Sequence, residues 1–438
     1  MALIHPFRGY RYNRSIVGDL NAVVTQPYDK IPLDLQKDYY GRSPYSVVRI
    51  TRSMEKNDDP GTEYPQAGQV LKEWLDKGIL AQEAAPTIYA YFQDYEVDEE
   101  KKVQRGFMAL LEVKYSGGGI LPHEKTMAEP KMDRLRLMRS TECNEDLIYT
   151  LYTDEKLVIN RLLVEKAASR QPEIEVTDDF GVLHRVWPIS DAKTVRKIQD
   201  AIVPEELFIA DGHHRYETSV NFMKECKAKG WKPAGSESFD KRLVACFNSA
   251  DQGPTILPTH RLVRDLAHFA SASLLRQAKR YFEVEQAGSA AELWGRMKNE
   301  RDRHVFGFYP ADARRHYLLR LKEEAKVDPM MLSHGEAYRH LDVSILHTLI
   351  LDRFLGIDEK SLVAQKHVDY ARDRDTCLRL VDEGKYQAAF FLNPTTVEQV
   401  QRVALLGERM PQKSTDFYPK LLTGLVFMKM RIAKPESR

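Results

Sequence analysis

The feature that most restricts what this 438-residue chain can become is the run Glu206-Leu207-Phe208-Ile209-Ala210-Asp211-Gly212-His213-His214-Arg215-Tyr216-Glu217-Thr218. Residues 207–210 are apolar and bounded by polar ones, the pattern of a short buried strand. From Tyr216 onward, Tyr216, Val220, Met223 and Cys226 recur three and four apart, as one face of a helix does. Asp211-Gly212 is turn chemistry, because glycine takes backbone angles that bulkier residues avoid. The polar residues 211–215 are therefore expected at a strand-to-helix junction, near the positive end of a helix dipole. Free amides at such an end suit an anion, and Arg215 would add a planar fork of donors.

Composition narrows the setting. Lysine and arginine total 65 against 64 aspartate and glutamate, a net charge of +1, so nothing in the overall balance favours a nucleic-acid partner. Cys143, Cys226, Cys246 and Cys377 lie far apart with no C-x-x-C pair, which suits a reducing cytosol and argues against a cysteine zinc site. No apolar run reaches membrane-spanning length, and the first residues lack the core of a secretory signal. A cytoplasmic protein with no membrane partner is expected.

Read in order, residues 47–50 are predicted as a strand, 53–63 as a surface loop and 67–78 as a helix. Residues 87–94 and 104–115 are predicted as a hairpin around an acidic tip at 97–102, followed by a glycine-rich stretch at 117–119. Strands are expected at 147–154, 182–189 and 243–248, with helices at 159–168 and 191–202. The pattern at 341–355 is a strongly apolar helix closed by Gly356. Three regions follow: 1–265, an α/β region carrying the Asp-Gly-His-His-Arg turn; 266–330, a small α/β subdomain; and 331–438, an α/β region with the loop Lys413-Ser414-Thr415-Asp416-Phe417-Tyr418-Pro419-Lys420. The fold class is mixed α/β.

Three other clusters could contribute polar groups. His123 and Glu124 could be an acid/base pair, with Thr126, Lys131, Arg134 and Arg136 as anion ligands; the alternative is a solvated helix face. His260-Arg261 could be structural or could add donors from a loop beside a strand. Lys413 and Ser414 could close over an anion or form a solvated connector. At the turn itself three readings stand. Asp211, His213 and His214 offer donor atoms to a divalent metal, although adjacent side chains diverge and no H-x-x-x-H or H-x-H spacing supports them. Asp211 and the histidines could instead cap and satisfy buried backbone groups. As a phosphate site, Gly212 admits the backbone, Arg215 and His214 stabilise charge, and Asp211 acts as a base or meets Mg²⁺ through the substrate's phosphates. The P-loop pattern G-x-x-x-x-G-K-[ST] is missing.

Pro6-Phe7-Arg8-Gly9, Gln26-Pro27-Tyr28-Asp29, His123-Glu124-Lys125-Thr126, Asp211-Gly212-His213-His214-Arg215-Tyr216, Leu257-Pro258-Thr259-His260-Arg261 and residues 410–420 occur in that order. The chain thereby resembles the bacterial and archaeal family known as domain of unknown function 1015. The strand–Asp-Gly-His-His-Arg–helix element is also similar to the phosphate-binding turn of the ParB/sulfiredoxin-like fold. In sulfiredoxin a Gly-x-His-Arg turn binds nucleotide phosphates, and free-serine kinases of that fold carry an Asp-Gly-His-like version. These resemblances imply a ParB/sulfiredoxin-like core around the turn and a link to serine metabolism. They also imply a phosphoryl-transfer enzyme that uses ATP or ADP and Mg²⁺, such as a free-serine kinase or an enzyme hydrolysing phosphoserine. Asp211 or Glu124 would accept the hydroxyl proton; Gly212, His213, His214 and Arg215 would hold phosphate. His123, Thr126, Lys131, Arg134, His260, Arg261, Lys413 and Ser414 would follow in second rank. Arg215→Ala would then remove activity and leave the fold intact. A nucleotide- or phosphate-sensing module without turnover, and a metal-dependent hydrolase, are the rival readings.

Overall fold

The structure, a computed structural model, describes residues 3–54, 61–114, 120–323, 325 and 329–435. The glycine-rich stretch at 117–119 and most of the expected surface loop at 53–63 lie outside them. The chain forms two compact units: Met1–Pro122, Thr126–Thr255 and Pro419–Arg438 make the first, and His123–Lys125 with Ile256–Tyr418 make the second.

The first unit is built on a nine-stranded mixed sheet. In chain order its strands are β1 (Ile4–His5), β2 (Ile88–Val97), β3 (Glu100–Glu112), β4 (Ile120–Leu121), β5 (Ile148–Tyr152), β6 (Ile174–Thr177), β7 (Leu183–Ile189), β8 (Leu207–Asp211) and β9 (Lys241–Asn248). Their spatial order is β4–β8–β5–β9–β3–β2–β7–β6, with β1 also pairing with β3. β8 runs parallel to β4 and antiparallel to β5, while β9 runs parallel to β5. Central β5 is buried along its whole length, which is why it reads as a continuous apolar run rather than an alternation. Gly106 of β3 is obligatory, because a Cβ there would lie 2.4 Å from both the Cys246 carbonyl oxygen and the Phe247 ring. Three helices, α1 (Glu63–Asp76), α2 (Ala128–Thr141) and α3 (His213–Ala228), pack side by side, α2 touching both α1 and α3. Pro130 falls in the first turn of α2, where its missing N–H costs nothing. The C-terminal segment is part of this unit: Met428–Lys429 pairs with Cys143–Asn144, and Ile432–Ala433 pairs with Lys232–Pro233.

The second unit carries an antiparallel six-stranded sheet of β10 (His260–Val263), β11 (Phe282–Ala287), β12 (Val305–Pro310), β13 (His316–Leu321), β14 (Val368–Ala371) and β15 (Ala388–Phe391). The order is β11–β13–β12–β15–β10–β14. One face is closed by Leu262, Leu293, Met297, Val305, Leu318, Cys377 and Phe391 among others. No helix among the described residues is long and apolar enough to cross a membrane.

Several expectations need correction. Residues 47–50 are not a strand: Val48–Thr51 is a helical turn whose Val48, Ile50 and Thr51 are buried, so tertiary packing overrides the β-propensity of a short run. The stretch at 341–355 is helical but not one α-helix. Asp342–Ile345 and Arg353–Leu355 flank a π-helical segment, Leu346–Asp352, before Gly356 ends it at φ 67°. Residues 266–330 are not a separate subdomain, because their strands share one sheet with β10, β14 and β15, and residues 419–438 return to the first unit. The hairpin is longer than expected and its tip is tighter: Asp98 and Glu99 make the turn at φ 50° and 65°.

Left-handed angles at two consecutive non-glycine residues cost free energy that Asn-Gly would not. Replacing Asp98-Glu99 by Asn-Gly should therefore stabilise the protein by about 1 kcal/mol, seen as a higher urea midpoint with an unchanged slope.

Candidate phosphate site

The apolar residues of β8 bury it in the sheet, and a bulge between Ile209 and Asp211 re-aims its last residue. Asp211 Oδ1 accepts the Gly212 N–H at 2.8 Å. Gly212 then turns the chain at φ 95°, and a Cβ there would also meet the Arg215 guanidinium at 3.0–3.1 Å. The left-handed φ favours glycine here, and the crowding adds to that preference. The helix begins at His213, earlier than the spacing from Tyr216 predicts, so His213, His214 and Arg215 form its first turn. No side chain caps this helix start, leaving the positive end of the dipole available to an anion.

Charge is dense around the turn. Lys420 Nζ lies 3.0 Å from Asp211 Oδ2, and Arg215 Nη2 lies 3.7 Å from Oδ1. Burial pushes the Asp211 carboxyl up, but Lys420, Arg215 and Lys30 together pull it far below the usual carboxylate range. Beneath the turn, buried Asp146 accepts from Arg242 and stands 3.9 Å from Arg215 Nη1. Burial opposes that charge too, yet Arg242, Arg215 and Arg134 hold Asp146 ionised. Arg215 Nη1 also donates to the Leu147 carbonyl. Arg134 pairs with Asp133 at 2.6 Å, donates to the Thr51 carbonyl at 2.9 Å and lies 4.1 Å over the Tyr28 ring. A small cavity among Arg134, Glu145, Asp146, Arg215 and Arg242 has room for about one water. Burial, reinforced by Asp146, raises Glu145 to about 7.

At the rim the groups are half-exposed. His214 Nε2 accepts the Met127 N–H at 2.9 Å, which assigns the ring proton to Nδ1. Burial lowers the His214 imidazole, so it is neutral. Lys131 Nζ binds Glu217 at 2.8 Å and Thr126 at 3.1 Å, and Thr126 donates to Glu217 at 2.7 Å. Exposed Asp29 is close enough for its charge to reach both His214 and Arg215.

The sequence-derived set is thus split. Asp211, Gly212, His213, His214, Arg215, Thr126, Lys131 and Arg134 belong to the first unit, and all but His213 are joined there by the contacts above; His213 is buried in the same first turn. His123, Glu124, His260, Arg261, Lys413 and Ser414 belong to the second unit. There His123 Nε2 meets Thr415 Oγ1 at 3.0 Å, Glu124 Oε1 accepts the Lys413 N–H at 3.2 Å, and Ser414 donates to the Pro411 carbonyl at 2.6 Å. His260 and Arg261 are not on a loop but adjacent in β10, hence on opposite faces of the sheet. Two roles change as well. Arg215 is a buried tie between Asp146, Asp211 and Leu147 rather than a solvent-facing fork. Asp211, held ionised by cations, is a poor proton acceptor. Lys420 and Asp29, which stand in the quoted motifs, and Lys30, which follows one of them, were not among the expected site residues. Nor were Asp146 and Arg242, whose only signal was a charge at the edge of an apolar strand.

Residues 4–344 match the family described as Protein of unknown function (DUF1015). The chain belongs to that family. No curated protein matches it. Among solved structures it is similar to a free serine kinase in complex with AMP, at 12% identity and TM-score 0.36, covering 71% of this chain and 86% of that one. It is similar to SbnI with C-terminal truncation from Staphylococcus aureus, at 11% identity and TM-score 0.34, covering 75% of this chain and 83% of that one. A conserved hypothetical protein from Pyrococcus furiosus gives 13% identity and TM-score 0.32, covering 70% and 92%. Likeness this loose transfers neither a residue role nor a ligand.

Two predictions concern this DUF1015 site. Arg215→Met leaves Asp211 and Asp146 short of a buried counter-charge and should destabilise the protein by about 3 kcal/mol, measured by urea unfolding; a fully stable variant would contradict the network. Glu145, raised from 4.5 to about 7, contributes stability that is complete below pH 4.5 and is lost as pH rises through about 7. Glu145→Gln should remove that loss, read as a flatter dependence of melting temperature on pH.

Proposed function

We propose that the Asp211–Arg215 turn binds a nucleotide phosphate and serves phosphoryl transfer between ATP or ADP and a small hydroxyl metabolite in the cytoplasm. Free serine is the first candidate, by the sequence resemblance of the turn. The observation that carries this reading is the uncapped start of α3 at Gly212 with Lys420 3.0 Å from Asp211 beside it. First-turn amides and the Lys420 ammonium would share the phosphate charge, and neutral His214 would donate from Nδ1. Asp211 fixes Lys420 in place. Of the nearby carboxylates, Asp211 is matched to Lys420 and Arg215, and Glu217 is matched to Lys131 and Thr126. Exposed Asp29 is the group left to accept the hydroxyl proton. The four cysteines are free and buried, which suits a reducing compartment.

The side chains around Asp211 do not suit a protein-held Mg²⁺, because that carboxylate is already paired with two cations. Among the described residues no three His, Cys, Asp or Glu side chains converge on one point.

Incubation with ATP or ADP and a panel of small hydroxy amino acids, followed by ³¹P NMR, tests the proposal. A new phosphomonoester signal is expected. Nucleotide binding without product would make the protein a sensor, and no binding would sink the phosphate reading altogether. Asp29→Asn should lower kcat by about 100-fold or more while nucleotide affinity is kept. Lys420→Met should weaken nucleotide binding by about tenfold.

A further inference from the structure

Arg261 is one of the largest fully buried side chains, 1% exposed, and no carboxylate pairs with it among the described residues. Its Nε donates to His347 Nε2 at 3.2 Å, Nη2 donates to the Lys413 carbonyl at 3.0 Å, and Nη1 donates to the Thr259 carbonyl. The Tyr370 ring stands 5.1 Å from its guanidinium carbon. All these partners are neutral. Burial holds the His347 imidazole well below its ordinary value, so it accepts a hydrogen bond and adds no charge. Burial pulls even the Arg261 guanidinium down to about 10, with only Tyr370 opposing. A buried cation without a counter-charge is expensive, and proteins rarely keep one unless it is paired or used.

The surroundings indicate use. Arg261 lies in β10 opposite Tyr370 of β14 and Phe390 of β15, on one face of the second sheet. His347 reaches it from the π-helical segment Leu346–Asp352, a helix form found mostly at functional positions. Lys413 sits on the loop whose carbonyl caps the guanidinium. Its backbone is in the left-handed region at φ 58°, its N–H is held by Glu124, and its residue is exposed.

We propose that Arg261 and Lys413 form a second oxyanion site, lying within the second unit, for a phosphate group of a small metabolite. Two cations match a phosphate dianion better than a single carboxylate, and a guanidinium fork grips adjacent phosphate oxygens. On binding, the loop at 411–414 lifts, and Arg261 exchanges the carbonyls of Lys413 and Thr259 for phosphate oxygens. His347 keeps Nε aimed. His260, packed against Phe391 on the other face of the sheet, takes no part. This site does not depend on the reading of the Asp211 turn.

Isothermal titration of the full chain with pyrophosphate tests it. Two isotherms are expected in the wild type, of which Arg261→Met abolishes one and Lys420→Met the other. Lys413→Gln, which disturbs no buried contact, should weaken the Arg261 isotherm by about tenfold. If both isotherms survive Arg261→Met, the assignment falls. A single wild-type isotherm lost only in Lys420→Met overturns this site and leaves the turn intact; one lost only in Arg261→Met does the reverse. One isotherm lost in both variants also overturns a separate second site. Should Arg261→Met not fold, Lys413→Gln decides, an unchanged pair of isotherms overturning the proposal.

Discussion

The first unit's site depends on one buried carboxylate, Asp146. It gathers the charges of Arg242 from β9, Arg215 from α3 and Arg134 from α2. In doing so it draws Arg215 under Gly212, where a Cβ would crowd the guanidinium at 3.0–3.1 Å. Glycine at 212 in turn leaves α3 with no side-chain cap. The amide-lined helix start is therefore a consequence of the charge network below it. A network of this kind need not add net stability, since desolvation offsets much of the Coulombic gain. Its value lies in fixing one geometry: β9 and two helices must meet for Asp146 to be satisfied.

Lys420 links the same site to the far end of the sequence. It lies two residues after Tyr418, the last residue of the second unit, where the chain has re-entered the first. The two short strand pairs made by Met428–Lys429 and Ile432–Ala433 hold this segment down, and Lys420 Nζ then reaches Asp211. A carboxylate so strongly kept in its charged form cannot double as a base at neutral pH. In the proposed reaction this leaves the hydroxyl proton to exposed Asp29.

Local pattern made the strand–turn–helix element, the hairpin and the helices at 67–78, 159–168 and 191–202 readable, because each has its own period and its own stop signals. Gly212 and Gly356 ended their elements where the sequence placed them. Residues 47–50 misled because three apolar β-branched residues around Arg49 carry too little local information against packing. The division into regions failed for another reason: β10 and β15 pair across more than a hundred residues, and no local signal announces such a pairing. The chemistry was legible as motifs but not as contacts. Sequence showed that Arg215 and Arg261 are charged and stand beside strands; it could not show that both are buried, nor which has a carboxylate.

That last difference separates the two arginines physically. Arg215 has carboxylates on two sides, so its charge is already answered, and its removal would weaken the charge balance at both acids. Arg261 is answered only by two carbonyls, an imidazole and a ring face. Dipoles can satisfy its donors but cannot cancel its charge in a medium of low dielectric constant. Removing the Arg215 charge takes one of several cations from Asp146 and Asp211, which keep Arg242 and Lys420, whereas removing the Arg261 charge relieves an imbalance. An arginine of the first kind maintains a geometry. One of the second kind keeps a standing demand for an anion, which an incoming phosphate would meet while restoring neutrality to the second unit's core.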